Sequence, residues 1–155
     1  MESEKYVVFQ AGKQQYGIPV SSVSSIEKML DLTKLPQVPD YMSGITNVRG
    51  KVIPVLDIAK ILFNQPFKKS NSNKIILVNL NDSIVGIIVE DAKEIVDVLS
   101  EDINEVNGLV TANVTYLSGV IQTDTGFVTL LNLEKLVVNL GDIESIREQM
   151  EQLTT

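Results

Sequence analysis

The sequence predicts a mostly β protein built from two similar small barrel lobes packed around a shared core. Three observations lead there. Short runs of β-branched and apolar residues alternate with turn residues along most of the chain. The runs of the first half return in the same order in the second. Each half, at roughly 60 residues, would bury little core alone and would leave sheet edges open. Curling each half into a barrel and packing the two together removes both difficulties.

The elements follow in chain order. "KYVVFQ" (Lys5 to Gln10) and "QYGIPV" (Gln15 to Val20) flank "AGKQ", a hairpin. "KVIPVLDI" is a strand with Pro54 inside it, and because proline cannot donate to a ladder, an edge position or a bulge is expected there. Asp57 ends that strand as the N-cap of a short helical segment, "IAKIL". The polar stretch Asn64 to Asn73 reads as the linker between the halves. "KIILVNL" (Lys74 to Leu80) and "SIVGIIV" (Ser83 to Val89) flank Asn81-Asp82, a tighter hairpin, and "FVTLLNL" is a further strand. The acid-rich segment Glu90 to Glu105 lacks the spacing and glycine of a calcium loop and reads as a solvated strand edge. Near the end, Ile143, Ile146, Met150 and Leu153 fall at helical spacing, which predicts an amphipathic helix over 142–153 capped by Asp142. One domain spanning 1–155 results, with lobes over 5–63 and 74–138 joined by 64–73.

The repeat can be written residue by residue. At one offset Lys5, Gly17, Ile18, Val20 and Ile26 meet Lys74, Gly86, Ile87, Val89 and Ile95. At a second, Ser43, Gly44, Leu56 and Lys60 meet Ser118, Gly119, Leu131 and Lys135, with Asp57 facing Asn132, another good cap residue. Where the first copy has "NVRGK", the second has "QTDTG", so Arg49 faces Asp124. A residue needed only to hold the scaffold would tend to appear in both copies, so Arg49 reads as specialised. Val23, Ile26, Ile95 and Val98 follow matching strands and are candidates to line the seam between lobes, against the plainer reading of ordinary core.

Composition narrows the chemistry. The chain has no histidine, cysteine or tryptophan, which removes thiolate and imidazole chemistry and every zinc site built from them. A net charge of −7 opposes binding to nucleic acid and to anionic membrane surfaces. No apolar run approaches the ~20 residues of a membrane span, and the acidic start is unlike a signal peptide, so a cytoplasmic protein without direct membrane insertion is expected. No phosphate-binding or dinucleotide glycine pattern occurs. The triplet Asp124-Thr125-Gly126 matches that of aspartic proteases, whose chemistry needs two such carboxylates, so a homodimer would have to supply the second; a hairpin turn is the competing reading. No catalytic residue, metal ligand or cofactor is assigned. The working part is then exposed surface, where arginine is well suited to hold carboxylates or carbonyls of a partner. A generic peptide-binding β module using open strand edges is a further alternative.

Three segments carry a family resemblance: "GITNVRGKVIPVLDIAKIL", "YGIPVSSVSSI" (Tyr16 to Ile26) and "IVGIIVEDAKEIVDVL" (Ile84 to Leu99). From about Lys5 to Val138 the chain resembles CheW, the coupling-protein family of bacterial chemotaxis. The resemblance implies a pair of five-stranded β-barrels, no catalysis, and a free-standing adaptor rather than the same domain fused in CheV or CheA. It implies two partners: the cytoplasmic tip of methyl-accepting chemotaxis receptors, lying in a groove between the lobes, and the regulatory domain of the histidine kinase CheA. Carried over by position, the receptor site comprises Arg49 with Asn47 and Gly50, and the groove residues Val23 and Ile95. Many members have a glutamate two residues after the position of Val23; this sequence has Ser25.

Overall fold

The computed structural model describes residues 2–80, 83–104 and 116–140. In chain order its elements are β1 (Ser3–Ala11), β2 (Gln14–Pro19), β3 (Val23–Lys28), β4 (Met42–Val48), β5 (Lys51–Asp57), α1 (Ile58–Phe63), β6 (Lys74–Leu80), β7 (Ser83–Val89), β8 (Asp91–Leu99), β9 (Leu117–Thr123), β10 (Gly126–Leu131) and α2 (Leu133–Asn139), with 3-10 turns after β2 and β8. The expected helix over 142–153 and the Asn81-Asp82 turn lie outside the described residues. The acid-rich segment does supply an edge strand, β8.

Two five-stranded sheets form, in the orders β8-β1-β2-β10-β9 and β3-β6-β7-β5-β4. Replacing each strand by its repeat partner turns one order into the other. The parallel contacts correspond too, β10 with β2 and β5 with β7. The division into one lobe per half, 5–63 and 74–138, is corrected by this topology. The first sheet takes β1 and β2 from one half and β8, β9 and β10 from the other, and the second sheet does the converse. The segment 64–73 is therefore no free hinge. Asn73 is buried, donating through Nδ2 to the carbonyls of Lys68 (3.2 Å) and Glu90 (3.1 Å) and accepting from Ser70 N–H (2.9 Å).

Period-2 geometry explains the long buried runs. Successive side chains of β1 point to opposite faces, and both faces are covered. Tyr6 and Val8 join the interior of the first sheet, while Val7, Phe9 and Ala11 join the core shared between sheets. In β6, Ile75 and Leu77 fill the interior of the second sheet, and Ile76, Val78 and Leu80 enter the shared core. Truncating one such isoleucine to alanine typically costs about 2–5 kcal/mol.

Both sheets curl, although among the described residues no continuous ladder closes either into a full barrel. A two-bond bridge does the closing. After β3 the chain turns so that Thr33 exchanges hydrogen bonds of 2.9 and 2.8 Å with Ile45 of β4, at the opposite edge. After β8, Asn104 does the same with Val120 of β9, at 2.9 Å in both directions. Each closure depends on the glycine that the repeat had matched. A Cβ on Gly44 (φ 149°) would lie 2.6 Å from the Thr33 carbonyl oxygen, and one on Gly119 (φ 156°) would collide with Ile103.

Pro54 corrects its expectation in part. β5 is not an edge strand, but its pairing with β7 begins only at Val55, so Pro54 pairs with β4 alone and its missing N–H faces no ladder. The helix caps hold as expected. Asp57 Oδ1 accepts from Lys60 N–H at 3.2 Å, and Asn132 Oδ1 accepts from Lys135 N–H at 3.0 Å. Asp57 is buried, and burial pushes its carboxyl above the ordinary carboxylate range, against the pull of the Phe67, Lys60 and Ala59 N–H groups and with a small push from Glu90.

Candidate interaction site

β4 and β5 pair tightly through Val48 and Lys51, leaving two residues for the turn, Arg49 (φ 51°) and Gly50 (φ 85°). Two consecutive positive φ values define a type I′ hairpin, for which Asn-Gly is the favoured sequence. Asn47 secures the backbone, its Oδ1 accepting from Gly50 N–H at 3.0 Å. An arginine in the left-handed region costs roughly 1 kcal/mol, so local stability does not account for Arg49. Its side chain is 71% exposed and, among the described residues, its Nη2 meets Glu27 Oε1 of β3 at 3.3 Å. β3 and β4 are opposite edges of their sheet, so curling alone brings Glu27 to the turn.

Cross-strand partners show which way β3 looks. Val23 and Ile26 stand opposite Val78 and Ile76, both of the shared core, so these two side chains look toward the seam between sheets. Val23 packs there, while Ile26 stays 40% exposed. Ser25 and Glu27 stand opposite Leu77 and Ile75 of the sheet interior. Ser25 has a buried hydroxyl with no partner among the described residues. On β8, Ile95 pairs with Val7 and therefore also turns to the seam side; it is 58% exposed. Val98 is not a seam residue: it is 5% exposed and belongs to the interior of the first sheet, because the strand alternation carries it there with Val96.

Of the five candidate residues, the structure gathers Asn47, Arg49 and Gly50 in one turn, with Val23 on the strand that supplies Glu27. Ile95 lies on the other sheet. Glu27 escaped sequence reasoning because its link to Arg49 spans 22 positions and arises from curvature. The alternation along β3, which turns a charged side chain inward, was the available signal.

The Asp124-Thr125-Gly126 triplet forms the matching turn in the second half. Thr123 Oγ1 accepts from Thr125 N–H (3.3 Å) and donates to the Gly126 carbonyl (3.0 Å). Asp124 is exposed at that tip, which is the hairpin reading. Among the described residues no group of three or more His, Cys, Asp or Glu could hold a metal ion, and no helix is long and apolar enough to cross a membrane.

A mostly β domain of two sheets that each draw strands from both halves, with apolar edge residues left exposed beside a seam and a strained arginine turn, has the features of a protein-interaction domain. The sequence pattern of the CheW-like domain matches residues 5–140, and the chain belongs to that family. It is 37% identical over 91 residues to the chemotaxis protein CheW of Bacillus subtilis (strain 168), covering 59% of this chain and 58% of that one. It is 29% identical over 91 residues to the chemotaxis protein CheW of Helicobacter pylori, covering 58% and 54%. The matches thus span little more than half the length of these curated relatives. Among solved structures it is similar to the scaffolding protein TtCheW from Thermoanaerobacter tengcongensis, with a TM-score of 0.78, 29% identity and 88% of each chain covered.

Proposed function

We propose that this protein is a non-enzymatic adaptor that couples the cytoplasmic tip of methyl-accepting chemotaxis receptors to the histidine kinase CheA. In this reading it works in the cytoplasm, at the membrane receptor arrays, through protein contacts alone. The receptor's helices lie along the seam, against Val23 and Ile95, with Ile26 beside them, and the Asn47-Arg49-Gly50 turn contacts them at one side.

The observation that carries the reading is Arg49 itself. Within a CheW-like domain, the turn holds a 71% exposed arginine in a backbone conformation that disfavours it. Exposed apolar side chains at the edges of both sheets support it further. An arginine hot spot costs on the order of 2 kcal/mol when truncated, about thirtyfold in affinity. The test is titration calorimetry of the receptor's cytoplasmic tip fragment against wild type and Arg49→Ala, with melting curves for both. Weakening of tenfold or more at unchanged melting temperature is expected. Equal binding by both proteins would remove Arg49 from the site, and no binding by the wild type would remove the receptor.

A further inference from the structure

The hairpin between β1 and β2, the C-terminal end of α1 and the segment after it enclose a cleft of about 590 Å³, a size usual for small-molecule sites. Its apolar part is the ring of Phe63, with Ala59 and Pro66. Phe63 is 39% exposed although Tyr16 stands beside it, ring centroids 6.2 Å apart, and Gly12 lies against it. A Cβ on Gly12 would come within 3.0 Å of Phe63 Cε2. Lys13 and Lys68, both exposed, also line the cleft. The described residues hold one ion pair, Arg49 with Glu27, so neither ammonium is neutralised among them, in a chain with 20 acidic side chains to 13 basic. Glu90 completes the set. Its Oε2 accepts from Gly12 N–H at 2.7 Å, and its Oε1 has no donor among the described residues.

The walls are held in place by the fold itself. Glu90 ties the hairpin tip, Asp57 Oδ2 accepts from Phe67 N–H at 3.1 Å, and the buried Asn73 donates to the Lys68 carbonyl at 3.2 Å. A preformed cleft spares a ligand the ordering of its walls. The repeat sets the same residues apart. At its two offsets Lys13 meets Asp82 and Phe63 meets Val138, so neither the cation nor the aromatic ring belongs to the common scaffold.

We propose that this cleft binds a small anionic molecule with a planar aromatic ring. The ring packs on the uncovered part of Phe63, the anionic group is held by Lys13 and Lys68, and a ring N–H donor, where the ligand has one, meets Glu90 Oε1. An aromatic carboxylate and a nucleoside monophosphate share the ring and the charge; the second adds the donor. The site is independent of the receptor-binding reading.

The test is a titration of naphthoate and, separately, of adenosine monophosphate into the nitrogen-15-labelled full chain, followed by amide chemical shifts. Saturable shifts centred on Gly12, Lys13, Phe63 and Lys68 are expected for at least one of the two, with a Kd of about 1 mM or below. The tighter ligand identifies which source the cleft fits. Combining Lys13→Gln with Lys68→Gln should weaken binding about tenfold, and the uncharged naphthalenemethanol should bind wild type no better than naphthoate binds that variant. Both lysines are exposed, so the melting temperature should hold and the loss reports on charge. Phe63→Leu, which keeps an apolar side chain, should weaken binding about threefold through the lost ring contact. No saturable binding of either ligand would overturn the assignment. So would shifts centred elsewhere, or binding indifferent to both lysines. None of these results bears on the coupling reading, because no receptor or kinase is present.

Discussion

The β4–β5 and β9–β10 turns occupy one place in the repeat and solve it in opposite ways. The second is held by short side chains: the Thr123 hydroxyl bonds the backbone of Thr125 and Gly126, the Thr125 hydroxyl meets the Gln15 side chain of β2 at 3.4 Å, and no cation stands at the tip. The first ties its backbone with Asn47 and then places a four-carbon cationic arm at a position that favours asparagine or glycine. The strands beneath are interchangeable in order and register. What distinguishes the halves is therefore carried by tips and edges, and scaffold and function separate along that line.

The largest effect should come from breaking what the halves share. Gly44→Ala and Gly119→Ala each push a methyl into the bridge that closes a sheet, and each should lose ~3 kcal/mol or more, a fall of roughly 6–12 °C in melting temperature. Similar losses at both sites would sharpen the equivalence; a silent variant at either would break it. Next comes Arg49→Ala, with its tenfold or greater loss of receptor-tip affinity at unchanged stability, measured by calorimetry. Arg49→Asn sets stability against binding. It creates the favoured Asn-Gly turn and should raise stability by ~0.5–1 kcal/mol in chemical denaturation while still losing the partner.

Asp57 and Asn132 offer the same comparison at the helix caps. In the fold Asp57 holds its proton to higher pH than in the unfolded chain, so the folded state binds more protons between the two pKa values. The cost of charging it is absent below the ordinary carboxylate range and grows as pH rises through the raised folded value. Denaturation midpoints of wild type should therefore fall on this account as pH rises from about 4 to 7, and Asp57→Asn should flatten that slope. The variant also places an amide where Asp57 Oδ2 accepts from Phe67 N–H (3.1 Å), so its neutral-pH stability should not rise by the full relief of charge burial. The smallest effect belongs to Asp124→Asn, within about 0.5 kcal/mol in stability and with no change in binding.

What could be read from sequence was what neighbours decide. The hairpin at Gly12-Lys13, the strand pairs β6–β7 and β9–β10, and the caps at Asp57 and Asn132 all follow from residues a few positions apart. The repeat was legible because both copies meet the same packing, down to Gly44 and Gly119. Which half a strand pairs with was not. β1 beside β8 and β3 beside β6 are choices between equally apolar edges far apart in the chain, and period-2 patterning is silent on partners. The same blindness left Val98 open between seam and core and hid Glu27.

The strand exchange has a consequence for where such a chain could have come from. Either half alone supplies two strands to one sheet and three to the other, so a single copy could complete neither. Two copies of one half would complete both by trading strands, as a domain-swapped homodimer does. The present molecule has the form of that dimer with its subunits tied through residues 64–73. Within one polypeptide the former twins are free to diverge, and a cation at one hairpin tip with none at the other is the kind of asymmetry that two identical subunits could never show.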